Sequence, residues 1–216
     1  MAATRCSAVG LRFKANTALQ SQANITMKTL EEQLNTAGLV VSGHCGRLST
    51  YNATLLSTSP LLMDMTPQEV DMLGQTMLMV RVKAGQALIR EGEVGEWMLL
   101  LLKGTVDVTK RIEPRADEGG EKDNDNDNQS VTQSRIAVLQ CGAAVGEMSM
   151  LDSEPRFASC TAIEDVEAGV LGRREIALLI RDHPAVGAKL LVKITQIMAQ
   201  RLRNTSNQLI KLLQNS

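Results

Sequence analysis

The sequence predicts an α+β fold in which an antiparallel barrel or double sheet is followed by a long helix. Between residues 80 and 112, short apolar or alternating runs are separated by four glycines. Strand-length runs with turn residues every eight to twelve positions are typical of antiparallel barrels and double sheets. After Gly172 the spacing between apolar residues lengthens to the three or four positions typical of helices. This change predicts a helix that stops at Pro184 and a long amphipathic helix from Ala185 onwards.

The chain before these strands is predicted to be a loosely ordered extension covering residues 1–58. It is rich in Ala, Ser, Thr, Asn and Gly, with one helical candidate near Ile25–Leu34. The next segment is predicted to be a short helix. Thr66 is suited to its N-cap, Pro67 to its first position, and Glu69 to its third position, which completes a capping box. We expect three regions: the extension 1–58, a β-domain 59–184 and a C-terminal helix 185–216.

Composition narrows the possible functions. The 216 residues carry a net charge of −1 and only 2% aromatic side chains, so neither phosphate neutralisation nor base stacking favours a nucleic-acid partner. The four cysteines show no paired spacing, which favours a cytoplasmic protein. The longest apolar run, 97–102, is too short to cross a bilayer, and we expect no membrane partner. The basic, acid-free first thirty residues leave an organelle transit peptide as the alternative.

The acidic segment 113–134 separates two groups of predicted strands. Its alternating aspartates at 123–127 match the first half of a calcium loop, but Asn128 stands where glycine is needed and Ser134 where glutamate is needed. We therefore expect a flexible hairpin loop and no metal site.

The candidate site lies in VGEMSMLDSEPRFASC, residues 145–160. The planar guanidinium of Arg156 suits the oxygens of a phosphate. The carboxylate of Glu147 accepts hydrogen bonds, which a sugar hydroxyl can donate, and Gly146 leaves space for the ligand. A short helix beginning near Met148 would add backbone N–H groups for the same anion. These features predict a nucleotide monophosphate site, although the two charges taken alone favour a surface ion pair.

The sequence resembles the cyclic nucleotide-binding domain family over about residues 60–205. GQALIREGEVGEWMLLLLKGTVDV is similar to the opening strands of that family, and VGEMSMLDSEPRFASC is similar to its phosphate-binding cassette. The resemblance implies an eight-stranded antiparallel β-roll, a double-stranded jelly roll with short N-terminal helices and a long C-terminal helix. Because the chain ends at Ser216, we expect the catabolite-activator-like, stand-alone bacterial type without a helix-turn-helix.

The resemblance also assigns roles to residues. Glu147 corresponds to the family's glutamate that binds the ribose 2′-hydroxyl, and Arg156 corresponds to the arginine that binds the cyclic phosphate. Phe157 and Ala158 correspond to the residues whose backbone amides lie beside that phosphate. The expected ligand-binding residues are Gly146, Glu147, Met148, Arg156, Phe157, Ala158 and Ser159.

The chain departs from the family pattern at two positions. Val145 replaces an aromatic residue, and Phe157 replaces the usual Ala, Ser or Thr. A threonine at the second position favours cGMP in the family. Phe157 offers no hydroxyl, so cAMP is expected rather than cGMP; a cyclic dinucleotide is the other nucleotide considered.

The predicted function is a cyclic nucleotide-sensing regulatory protein that uses no cofactor and signals through its C-terminal helix. That helix is either a lid or a homodimer seam, because residues 191, 195, 198, 202, 205, 209 and 212 alternate by four and three. Its basic residues are interpreted as a solvated face: Lys189, Lys193, Arg201, Arg203 and Lys211.

Two other functions compete with this prediction. The first is a degenerate domain that binds no nucleotide and acts as a dimeric adaptor. The second is a cupin-like enzyme, which needs several metal-binding histidines, whereas the chain has only His44 and His183. We therefore expect no enzyme activity.

Overall fold

A computed structural model describes residues 28–52, 54–112 and 132–214. The helices are α1 (Leu30–Thr36), α2 (Leu55–Thr58), α3 (Pro67–Thr76), α4 (Glu147–Asp152), α5 (Arg173–Asp182) and α6 (Pro184–Gln214), with a 3₁₀ turn at Leu48–Thr50. The strands are β1 (Val41–His44), β2 (Leu78–Val82), β3 (Ala87–Ile89), β4 (Trp97–Lys103), β5 (Val106–Ile112), β6 (Thr132–Leu139), β7 (Ala144–Val145), β8 (Ser159–Ala162) and β9 (Val166–Gly172).

The strands form two antiparallel sheets. One sheet has the order β1-β2-β9-β4-β7 and the other the order β3-β8-β5-β6. Strands β2 to β9 make the eight-stranded roll that the sequence predicts, and β1 adds one strand at the edge of the first sheet. The α+β prediction is therefore confirmed.

Strand β4 runs through the middle of the core and is buried on both of its faces. Trp97, Leu99 and Leu101 belong to the cluster between the two sheets. Met98 and Leu100 belong to a second cluster, formed with the helices. Successive side chains of a strand point to opposite faces, so a strand covered on both sides needs the uninterrupted apolar run seen here.

The N-terminal segment differs from the predicted loose extension. Where the structure describes it, α1, β1, the 3₁₀ turn and α2 form, and Leu34, Leu48 and Leu55 are fully buried. The prediction is based on the high overall content of small and polar residues in this segment. The few leucines among them are buried and attach the segment to the core. Helix α1 starts at Leu30, whereas residues 1–27 lie outside the described residues.

The predicted start of α3 and the predicted end of α5 are confirmed. Thr66 and Glu69 form the expected capping box at the start of α3, with Pro67 as the first helical residue. Helix α5 stops before Pro184, which begins α6. No helix among the described residues is long and apolar enough to span a membrane.

Most of the predicted acidic loop, residues 113–131 with its alternating aspartates, lies outside the described residues. Its last three positions, 132–134, already belong to β6 and pair with β5. The interpretation of the remainder as a flexible loop without a metal site stays a prediction.

Candidate functional site

The predicted cassette connects β7 to β8 through α4. Gly146 caps α4 with a φ of 85°, a left-handed conformation that favours glycine. A Cβ atom at this position would also lie 2.7 Å from Nη1 of Arg156. Gly146 is therefore needed both for the turn into α4 and for the space that the guanidinium fills.

The side chain of Glu147 is buried at the start of α4, with 1% of its surface exposed. Arg201 of α6 donates from Nη1 to its Oε1, and Nη2 of Arg201 donates to the carbonyl of Ala144 at 2.5 Å. The other carboxylate oxygen, Oε2, is buried and accepts no hydrogen bond from any residue that the structure describes. Because an unpaired buried acceptor is costly, this oxygen is suited to a ligand hydroxyl.

Arg156 is also buried, with 4% of its surface exposed. Nη1 donates to the carbonyl of Gly146 at 2.8 Å, and Nη2 donates to the carbonyl of Trp97 at 2.7 Å. The guanidinium lies over the Trp97 ring, 4.3 Å from its centre. Burial lowers the pKa of Arg156 to about 10, with the charges of Glu147 and Glu93 acting against that shift, so the group is cationic at neutral pH.

The backbone around Arg156 holds the side chain in place. The Arg156 N–H donates to the carbonyl of Glu93 at 2.8 Å, and the Gly92 N–H donates to the carbonyl of Arg156 at 2.9 Å. A Cβ atom on Gly95 would lie 2.6 Å from Nη2 of Arg156. The loop between β3 and β4 therefore leaves room for the guanidinium because glycine occupies position 95.

The residues that follow Arg156 are placed differently from one another. Phe157 is 56% exposed, and the ammonium of Lys110 lies 4.1 Å from the centre of its ring. The Phe157 carbonyl accepts a hydrogen bond from the same ammonium at 2.8 Å. Ala158 is half-buried. The Ser159 hydroxyl accepts a hydrogen bond from the Glu91 N–H at 3.0 Å, and Met148 is exposed.

Among the predicted residues, Gly146, Glu147 and Arg156 are thus brought together, whereas the side chains of Met148 and Phe157 are largely exposed. Val145, which replaces an aromatic residue of the family pattern, is buried and belongs to the cluster between the sheets. The roles of these residues in ligand binding stay predictions.

Sequence reasoning missed Arg201 and interpreted the basic residues of α6 as a solvated face. That interpretation is wrong for Arg201, which binds Glu147, and for Lys193, which is half-buried and binds Asp64 at 2.5 Å. Lys189 binds Glu69 at 2.7 Å but stays exposed, as expected. The three basic residues are spaced by four and eight positions, which places them on one side of a helix. That spacing was the available signal, but their partners are distant in sequence.

The geometry favours an anionic ligand that also carries a hydroxyl group. No carboxylate lies within 4 Å of the Arg156 guanidinium among the residues described, and its two bonded acceptors are neutral carbonyls. The guanidinium therefore keeps a full positive charge in a buried position, where a charge-assisted bond to an anion is strong. The unpaired Oε2 of Glu147 adds an acceptor for the hydroxyl.

Comparison with known proteins agrees with this geometry. Residues 79–183 match the cyclic nucleotide-binding domain family. The chain is 30% identical over 151 residues to the cyclic AMP receptor protein of Thermus thermophilus, covering 70% of this chain and 61% of that protein. It is 25% identical over 159 residues to a CRP-like cAMP-activated global transcriptional regulator of Mycobacterium tuberculosis, covering 74% of this chain and 62% of the relative.

The fold is also similar to that of solved structures. A cyclic nucleotide-binding domain from Methylobacillus flagellatus superposes with a TM-score of 0.66 at 27% identity, covering 85% of this chain and 94% of that one. The chain spans about three fifths of the length of the curated relatives described above. Residues 79–183 therefore match the cyclic nucleotide-binding domain family in sequence, and the chain shares the fold of a solved domain of that kind.

Proposed function

We propose that the protein is a regulatory protein that senses a cyclic nucleotide, cAMP in preference to cGMP, and signals occupancy through α6. One observation carries the proposal: Glu147 and Arg156 are buried in one cassette. Among the residues that the structure describes, one carboxylate oxygen of Glu147 has no partner and the terminal nitrogens of Arg156 bond only to neutral carbonyls. A cyclic phosphate supplies the anion and the ribose supplies the hydroxyl donor.

The preference for cAMP is supported by Phe157 and by the relatives. Phe157 offers its backbone N–H but no hydroxyl, and its ring lies against Lys110. The relatives from Thermus thermophilus and Mycobacterium tuberculosis are a cyclic AMP receptor and a cAMP-activated regulator. We therefore expect tighter binding of cAMP than of cGMP.

Two arginines provide the route from the cassette to the C-terminal helices. Arg201 of α6 binds Oε1 of Glu147, so a ligand hydroxyl on Oε2 would share this carboxylate with α6. Arg173 of α5 donates to the carbonyl of Met150 at 2.8 and 2.5 Å and to the hydroxyl of Ser153 at 2.9 Å. Because Arg201 and the ligand use different oxygens, the ligand does not have to displace Arg201. The bound nucleotide stabilises the docked helix if it binds the carboxylate better when Arg201 holds it in place, and only by that difference in affinity.

One observation favours the alternative of an adaptor domain that binds no nucleotide. Both terminal nitrogens of Arg156 already donate to carbonyls of the chain itself, so a phosphate has to replace or share these bonds. If that exchange is too costly, the same fold presents only a protein-binding surface.

Calorimetric titration with cAMP and cGMP tests the proposal. We expect micromolar binding of cAMP, and the Arg156→Ala variant should lose about tenfold to hundredfold in affinity, because a charge-assisted hydrogen bond contributes about 1.5–3 kcal/mol. Arg81→Ala is the matched control, since this arginine is exposed and pairs with Glu167. Thermal unfolding of both variants checks that they are folded.

Two results would contradict parts of the proposal. The absence of heat with either nucleotide would support the adaptor alternative. Unchanged affinity in the Arg156→Ala variant would show that this guanidinium is not the anion clamp.

A further inference from the structure

A cavity of about 280 Å³ lies beside the Arg156 guanidinium, and α1 forms one of its walls. Arg156 and Trp97 line the cavity from the roll and Arg90 lines it from the loop after β3, whereas Gln33 and Ala37 line it from α1 and its C-terminal cap. Residues 33 and 37 lie outside the segment 79–183 that matches the family. The match to the family therefore does not include this wall.

Helix α1 is held firmly in this position. Leu30, Leu34 and Leu39 are buried in the cluster between the two sheets. The Arg90 guanidinium donates to the carbonyl of Ala37 at 3.2 Å. Strand β1, which follows, pairs with β2. These contacts make α1 a fixed wall of the cavity, because moving it would expose three buried leucines to water.

The charges around the cavity favour an anion. The guanidiniums of Arg90 and Arg156 line it together with one carboxylate, that of Glu93, which lies 3.8 Å from Arg90, so the lining keeps one net positive charge, that of Arg156. The side-chain nitrogen of Gln33 is bonded only weakly, donating to the Lys28 carbonyl at 3.3 Å. An amide is able to turn its donor towards a phosphate oxygen. The volume of the cavity is close to the lower end of the range of about 300–1,000 Å³ usual for small-molecule sites.

We propose that α1 is part of the nucleotide site: the phosphate end of the ligand enters this cavity against Arg156, and Gln33 of α1 contacts it. The inference rests on the proposed function and deepens it, because it makes the N-terminal segment a determinant of ligand affinity.

Substitutions on α1 test the inference. Ala37→Leu adds a side chain that occupies part of the cavity, and Gln33→Ala removes the proposed contact without adding volume. We expect Ala37→Leu to weaken cAMP binding by at least about tenfold, and Gln33→Ala by about fivefold, as expected for one hydrogen bond. Asn35→Ala is the matched control, because Asn35 is an exposed amide on α1 that does not line the cavity. Its affinity should equal that of the wild type.

Trp97 provides a direct readout, since it is the only tryptophan in the chain and lies against Arg156. Its fluorescence should change on titration with cAMP and with inorganic phosphate, and Ala37→Leu should suppress both changes. Circular dichroism confirms that the variants are folded.

The experiments distinguish a failure of the inference about α1 from a failure of the proposed function. If Arg156→Ala loses cAMP binding while Ala37→Leu and Gln33→Ala bind as the wild type does, α1 is no wall of the site and the proposed function stands. If the wild type binds no cyclic nucleotide, the proposed function fails. The titration with inorganic phosphate then tests whether the cavity beside α1 binds an anion. A Trp97 response to phosphate that Ala37→Leu abolishes supports an anion cavity, whereas no response in the wild type overturns it.

Discussion

Arg156 shows how far a charged residue depends on small neighbours. Its guanidinium fills the space left by the missing side chains of Gly95 and Gly146 and lies over the ring of Trp97. Two backbone carbonyls orient it, and no carboxylate of the described residues lies within 4 Å of it. The position of the anion clamp is therefore set by steric fit as well as by electrostatics.

Gly95→Ala should displace this guanidinium without unfolding the protein. The added Cβ would lie 2.6 Å from Nη2 and 2.9 Å from Nε of Arg156, and Gly95 does not have the left-handed φ that alanine avoids. We expect cAMP affinity to fall by about tenfold and the free energy of unfolding to fall by about 1–3 kcal/mol, since the displaced guanidinium leaves a buried carbonyl without its hydrogen bond. Calorimetry and urea denaturation measure the two quantities.

A double-mutant cycle provides the control for this prediction. In the Arg156→Ala background, Gly95→Ala should cause no further loss of affinity, because the residue that it displaces is absent. Equal losses in both backgrounds would show that Gly95 acts independently of Arg156.

At the scale of elements, α6 consists of a docked half and a projecting half. Val186, Leu190 and Ile194 are buried against the core, whereas most positions beyond Arg201 are exposed. Arg201, which binds Glu147, lies at the boundary between the two halves. The helix is thus tied to the cassette at the point where its apolar packing ends.

Removing the bond between Arg201 and Glu147 should make the docked state of α6 less stable and less dependent on the ligand. In the wild type, cAMP is expected to slow amide hydrogen exchange in α6 around residues 194–205, because the ligand stabilises the docked state. Arg201→Gln should exchange faster in that segment without ligand and respond less to cAMP. Arg203→Gln, an exposed arginine on the same helix, should behave as the wild type does. An unchanged response in Arg201→Gln would exclude this route of transmission.

The whole molecule presents an exposed apolar surface on the projecting half of α6. Leu202, Leu209 and Leu213 are 69%, 57% and 69% exposed. The first two belong to the predicted heptad seam, in which a second helix would cover them. We therefore expect a homodimer formed through this part of α6.

Light scattering after size exclusion measures this assembly. The wild type should have twice the chain mass of 23.4 kDa, and Leu209→Glu should shift it towards the monomer, since a charge in an apolar seam is strongly unfavourable. Asn207→Glu, at an already polar and exposed position of the same half, should leave the dimer intact. A monomeric wild type at high micromolar concentration would contradict this expectation.

Local patterns in the sequence determined several helices and strands of this protein: the start of α3 at its capping box, the burial of β4 on both faces, and the end of α5 before Pro184. They also determined the order of the cassette, in which Gly146 precedes Glu147 and Arg156. Each depends on neighbouring residues or on a short period, so the physical cause can be read directly from the chain. Tertiary structure alone decided which distant groups meet. The bond between Arg201 and Glu147 spans 54 positions, and the leucines of α1 pack against strands far along the chain. Such contacts arise from the folding of the whole backbone, because a periodic pattern shows which face of an element is buried or charged but not which distant residue it will contact.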